Sequence, residues 1–271
     1  MKTTSIKDIL YEPPGPRIRR LTATATAFSL VLLAALAALI VRQFYVTGQL
    51  SPRYWNFFAR ATTWRFLGQG LAGTMKAALA AGVLAFSLGF LMMVGRISPK
   101  KPLRLLSAAL IEFSRGVPTL LFIYFFFLVA PRFGLKLPAF WKIALPVSIS
   151  AAGVTAETLR SGVNAVPKGQ REAALSLGMR DGQVFSLVVF PQALRYVVPA
   201  LIAELVIVLK DTTFAYVVNY ADLMQNAKVL ISNYDALLPV YLVVSVIYIL
   251  INFLLNQASV ALARRGKERG L

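Results

Sequence analysis

Few residues in this 271-residue sequence can do chemistry. Histidine and cysteine are absent, which removes imidazole acid–base work, thiolate nucleophiles, disulfides and Cys/His metal sites together. No G-x-x-x-x-G-K-[ST] run occurs, so the chain has no phosphate-cradling loop of its own. What remains is a set of ionisable residues inside or at the ends of apolar runs: Glu112 and Arg115, Glu157 and Arg160, Glu204, and "KDTTF", Lys210 to Phe214. A charge at the centre of a membrane helix costs about 2.5–3.5 kcal/mol, so such residues tend to face a cavity or a partner. Recognition of a polar solute suits them; no metal set or catalytic constellation stands out, and nothing resembles a selectivity filter.

Each of these groups also has a plainer reading. Glu112–Arg115 and Glu157–Arg160 are spaced i,i+3 and can neutralise themselves on one helix face, the preferred reading for the first pair. Lys210 and Asp211 can snorkel to an interface. Arg115, however, runs into Gly116-Val117-Pro118, which weakens a helix. Broken helices expose backbone groups that bind solutes, so this region is a pathway candidate.

The elements that must position these residues are membrane helices. The chain is 58% hydrophobic and 15% charged, against about 45–50% and 25% in soluble domains. About 20 apolar residues cross a bilayer. Six stretches qualify: Leu21–Val41, Ala77–Gly95, Leu103–Ala130, Ile143–Leu159, Tyr196–Leu209 and Ala236–Ala263. The first is longer than the roughly 7–15 apolar residues of a cleavable signal, which predicts a retained anchor. The expected organisation is a tail over 1–20, an added N-terminal helix over 21–42, an outer loop with an interfacial helix over 43–69, a five-helix core over 70–263, and a tail over 264–271. In the second span Ala81, Ala85 and Gly89 recur every four residues, a spacing that admits a close helix neighbour within the chain.

The net charge of +18 falls mostly at the ends of these spans. That is the signature of membrane orientation rather than of nucleic-acid binding. The N-terminal basic residues, "RISPKKPLR", the segment after the fourth span and "RRGKERG" all fall on one face when six spans are counted. The positive-inside rule makes that face cytoplasmic, with both termini. Arg53, Arg60 and Arg65 lie on the other side and argue against it. Trp55, Phe58, Ala59 and Thr62 fall at helical spacing there, which predicts a helix in the interface.

Between the fourth and fifth spans lies a charged, broken segment, Val166 to Arg195. "REAALSLGM" reads as a short helix with Ala174, Leu175, Gly178 and Met179 on one face. Pro167 and Gly169 fit the turn before it, and the Gly182 region the turn after. A second short helix is expected from about Gln183 to Phe190, with a bend at Pro191. The whole hairpin, over 161–191, is too polar to insert and too apolar on one side to be a free loop, so a soluble partner can grip it.

"EAALSLGMRDGQVFSLVVFP" resembles the EAA loop of bacterial ABC importer permeases: E-A-A, three residues, G, nine residues, I, one residue, L-P. Val188 stands for the Ile and Phe190 for the Leu. "FSRGVPTLL", "AETLRSGVNAVPKGQREAA" and "FPQALRYVVPALIAELVIVLKDTTF" resemble segments of the polar amino-acid permeases, with Ser161 in place of a usual Gly. The added helix and "YEPPGPRIRR" resemble the glutamate permeases of actinobacteria.

The resemblance implies an all-α polytopic bundle, a type I-like permease that catalyses nothing itself and binds no cofactor, ATP and magnesium being held by a separate ATPase. Gly169, Glu172, Ala173, Ala174, Gly178 and Pro191 would form the coupling element. Arg115, Gly116, Pro118, Glu157, Lys210, Asp211, Thr212 and Thr213 would line the path. Implied partners are two ATPase subunits, a second permease (identical or related), an extracytoplasmic solute-binding protein and a polar amino acid, best read as glutamate. The competing reading is a secondary transporter driven by an ion gradient. Glu112, Glu157 and Glu204 supply the carboxylates it would need, but no inverted repeat is visible.

Overall fold

The computed structural model describes residues 15–268, with side chains through residue 261; the first fourteen residues and the last three lie outside the described residues. The chain forms two compact units, residues 1–56 and 57–271.

The first unit is built on α1, Pro16–Val46. Pro16 starts it, where a missing N–H costs nothing. Hydroxyls along it turn back to the helix's own carbonyls, as Ser29 does to Ala25 at 2.9 Å. None of its side chains is buried, and apolar residues lie on every face, the pattern of a helix surrounded by lipid.

The second unit is built of helices, with no strand among the described residues. Its elements are α2 (Ala61–Ile97), α3 (Lys101–Gly116), α4 (Thr119–Tyr124), α5 (Ala139–Ala165), α6 (Lys168–Ser176), α7 (Asp181–Gln183), α8 (Phe190–Asp211), α9 (Leu223–Tyr234) and α10 (Leu237–Glu268). Five described helices are long and apolar enough to cross a membrane, or six when one bent pair counts as a single span. α2 and α5 pack most closely. Ala81 and Ala85 are buried, and a Cβ on Gly89 would come within 2.7 Å of Thr155, so the small-residue stripe of α2 serves packing within the chain. Ala77, Ile123, Ile143, Val147 and Val208 close the core around that contact.

Three expectations need correction. The stretch read as a loop with an interfacial helix instead holds 3-10 turns at Pro52–Tyr54 and Asn56–Ala59, and α2 begins at Ala61. At 37 residues α2 is about 55 Å long, well beyond the ~30 Å hydrocarbon core, so the core cannot hold all of it, and its first half also packs against α9. There Asn226 of α9 donates to the Phe66 carbonyl at 2.7 Å, and the Leu223 N–H donates to Thr74 at 3.0 Å.

The third span, read as one helix, is broken: the Lys101–Gly116 and Thr119–Phe133 segments meet at 95°. Val117 is extended (φ −94°, ψ 125°) because it precedes Pro118, and Pro118 has no N–H to continue the ladder. The third correction is at Pro191. Helix runs from Asp181 to Val218 without a break, through a π-helical stretch at Val184–Val189. Pro191 sits in the first turn of α8, where the missing N–H is absorbed.

Candidate functional site

Two groups of residues stand out. The first is the hairpin. α6 leaves α5 through Val166-Pro167 and ends in a paired C-terminal cap. Gly178 takes φ +79°, its N–H bonds the Leu175 carbonyl at 2.9 Å, and the Met179 N–H bonds the Ala174 carbonyl at 3.3 Å. A left-handed residue is required for this pair of bonds, which is why glycine stands there. The chain then re-enters a helix at Asp181, whose carboxylate accepts from Arg171 at 2.9 Å and ties the two arms together. The Gln183 side chain accepts from the Arg180 N–H at 2.9 Å.

Ala174, Val184 and Val189 pack as a small core, with Val163, Val166 and Met179 against it. Ala174 and Met179 therefore face inward as the spacing predicts. Leu175 does not: it is exposed, as are Leu177 and Leu187. Glu172, Ala173 and Gly169 lie on the exposed side as well. The hairpin thus leaves three leucines bare among its charged residues, unlike ordinary loop surface.

The second group lies where the broken span meets α8. Thr119, directly after Pro118, donates to Asp211 at 2.9 Å and shares a hydrogen bond with Ser150 of α5, also 2.9 Å. The break at Gly116–Pro118 and the Lys210–Thr213 run, 92 residues apart in sequence, are thereby adjacent in space. Thr212 is buried and donates to the Leu209 carbonyl; Thr213 donates to that of Lys210, both at 2.7 Å. Lys210 is exposed and makes no ion pair among the described residues. Arg115 and Glu112 approach only to 3.9 Å, with the Arg115 side chain 44% exposed. Glu157 and Arg160, by contrast, form a 2.6 Å pair on one face of α5 and leave little charge over.

Thr119 and Ser150 were not singled out in the sequence, because an uncharged hydroxyl in an apolar run gives no signal until its partner is known. Glu204, noted only as a carboxylate in a span, proves to be buried. It accepts from Thr155 of α5 at 2.8 Å and lines a cleft of about 300 Å³ between α2 and α8.

The described residues thus hold an exposed hairpin and, separately, a polar seam inside an apolar bundle, with no catalytic grouping beside either among them. A family model described as the inner membrane component of binding-protein-dependent transport systems matches residues 81–267. The chain belongs to that family. It is a membrane-embedded, multi-pass permease subunit of an ABC importer, a system in which separate subunits hydrolyse ATP and a binding protein supplies the solute.

A glutamate transport system permease of Corynebacterium glutamicum, GluD, is 33% identical over 222 residues, 80% of this chain and 81% of the relative. A probable glutamine ABC transporter permease of Bacillus subtilis, GlnP, is 32% identical over 197 residues, 72% of this chain and 90% of the relative. The permease resembles a chain of a crystal structure of an amino acid ABC transporter with histidines, with a TM-score of 0.72 and 28% identity over 77% of this chain and 98% of that one. Membership in the family sets aside the secondary-transporter reading.

Proposed function

We propose that this permease carries polar amino acids inward, with glutamate as the substrate, and that the Gly169–Pro191 hairpin is its coupling element. The hairpin lies on the cytoplasmic side with both termini, following the basic residues. Two ATPase subunits grip two hairpins, one from this chain and one from a second, identical or related permease. ATP binding draws the ATPases together, the hairpins transmit that motion, and the path between the permeases opens to the outside. Each state must bind its partners differently, or ATP could bias nothing.

One observation carries the pathway reading: the 2.9 Å bond from Thr119 to Asp211, which seats the break in the third span against the end of α8. An anionic amino acid needs a cation beside it. Arg115, loosely held by Glu112, and Lys210, without an ion pair among the described residues, have charge to offer that Arg160 has not. The glutamate reading draws on the 33% identity to GluD and on these weakly paired or unpaired cations. Other relatives are named for glutamine, arginine and cystine.

The test is ATP-driven uptake by the full complex in proteoliposomes, with labelled glutamate and unlabelled competitors. Glutamate uptake resisted by excess glutamine and arginine supports the assignment. Uptake of arginine in preference to glutamate overturns it.

A further inference from the structure

A second feature of the hairpin side is a cavity of about 630 Å³ where the ends of α2 and α5 and the start of α3 meet the hairpin. Arg104 and Arg171 line it with Ser98 and Asn164, while Ile97 and Leu103 supply apolar wall. Arg171 already holds Asp181, and that carboxylate also lines the cavity. A guanidinium carries five N–H donors, so Arg171 keeps some for a second anion. Arg104 has no acidic partner among the described residues. Lys100 and Lys101 stand exposed at the same end of α3. With two guanidiniums against the one carboxylate of Asp181, the cavity keeps donors to spare and is suited to a phosphate.

The apolar half of the argument comes from an adjoining groove. A trough of about 430 Å³ lies between α2 and α3, lined by Leu88, Leu91, Leu106, Leu110 and Phe113, and it shares Leu103 with the basic cavity. α3 buries Ser107 and Ser114 beside Ile111 and leaves Leu106, Leu110 and Phe113 bare, an apolar outer face suited to hydrocarbon rather than water. A basic mouth at the end of the spans leads into an apolar trough along them. That shape matches one molecule with an anionic head and a hydrocarbon tail. Basic pockets between membrane helices on the cytoplasmic side take such headgroups. A soluble protein's surface would satisfy the arginines but leave the trough bare.

The geometry points to an anionic phospholipid bound here, its phosphate on Arg104 and Arg171 and an acyl chain along Leu103 and Leu106. The placement rests on the cytoplasmic orientation proposed above. The lipid bridges the α2–α3 turn to the hairpin, so its presence stiffens the link between hairpin and spans and raises transport.

The experiment compares the complete importer with an Arg104→Ala form and an Arg104→Lys form. Native mass spectrometry reads retained phosphatidylglycerol. Uptake is read in phosphatidylcholine vesicles with and without phosphatidylglycerol, and in a third arm with free glycerol phosphate. Wild type should retain phosphatidylglycerol and gain uptake from it. Arg104→Ala should bind it about fivefold more weakly and lose the gain, with basal uptake in phosphatidylcholine unchanged, and Arg104→Lys should keep most of both.

Equal retention and equal gain in Arg104→Ala overturn the proposal. Stimulation by free glycerol phosphate would assign the site to a soluble anion and overturn the lipid. Loss of the ATPase from Arg104→Ala in every membrane would make the crevice an ATPase contact instead. If wild type retains the lipid but carries no amino acid, the functional reading fails and the lipid site stands.

Discussion

The hairpin and the polar seam at the broken span solve different problems with similar residues. In the hairpin, Arg171 and Asp181 pair at 2.9 Å with both side chains largely exposed. An exposed pair of that kind contributes at most about 1 kcal/mol, so this one serves to hold the two arms in register. In the seam, Asp211 is half-buried and takes its hydrogen bond from a neutral hydroxyl, Thr119. Losing that donor leaves a carboxylate with nothing in place of water. On the proposed coupling role, the hairpin therefore tolerates changes in its ion pair but not in its exposed face. The seam is sensitive to single hydroxyls.

Four variants press on this contrast. The largest effect is expected from Glu172→Lys, which reverses charge on the exposed hairpin face: ATP-driven uptake should fall to background and ATPase co-purification should drop, with the spans still inserted. Wild-type uptake in this variant would remove the coupling role. Thr119→Val comes next. It should destabilise the detergent-solubilised protein by about 1–3 kcal/mol and depress uptake without loosening the ATPase. A loss of ATPase binding there would erase the distinction between the two regions.

Gly178→Ala places a side chain at φ +79° and should cost about 1–2 kcal/mol, confined to the hairpin. Hydrogen exchange should quicken at Met179 and spare Ile123 of α4; a global loss of protection would contradict that.

The smallest effect on uptake is expected at Asp222, away from both regions. Its carboxylate caps α9 by accepting from the Gln225 N–H at 2.7 Å, and burial pushes its pKa up from 3.8 to about 6. Because the folded state holds the proton more tightly than the unfolded chain, stability declines as pH rises through the interval between those values and levels off above about 6. Thermal unfolding followed across that interval should show the decline in wild type and a flatter profile in Asp222→Asn. Identical profiles would exclude the assignment.

The two regions also differ in how much of them can be read from the sequence. The hairpin's chemistry is contiguous: Glu172, Ala174 and Gly178 sit within a short helix and its cap, so spacing implies the helix and its end, and half of its buried side, since Ala174 and Met179 turn inward while Leu175 stays exposed. The seam is assembled from residues on three helices, and only folding brings Thr119, Ser150 and Asp211 together. The spans were legible from length and apolarity, but the bend was not. Gly116-Val117-Pro118 announces a weak point, while a 95° turn depends on what α5 and α8 offer the chain on the far side. The Pro191 expectation failed for a related reason. A proline signals a lost N–H, and it takes the surrounding ladder to show whether a kink or a π-helical stretch absorbs the loss.

The central claim is that the hairpin is gripped by the ATPase, and the bare Leu177 at its tip is the place to test it. The chain has no cysteine, so Leu177→Cys introduces a single thiol into the assembled importer. Crosslinking of that thiol to the ATPase, with a yield that changes on adding ATP, is the predicted result. A thiol that never crosslinks to the ATPase, or that an impermeant maleimide labels from outside sealed cells, would contradict the account.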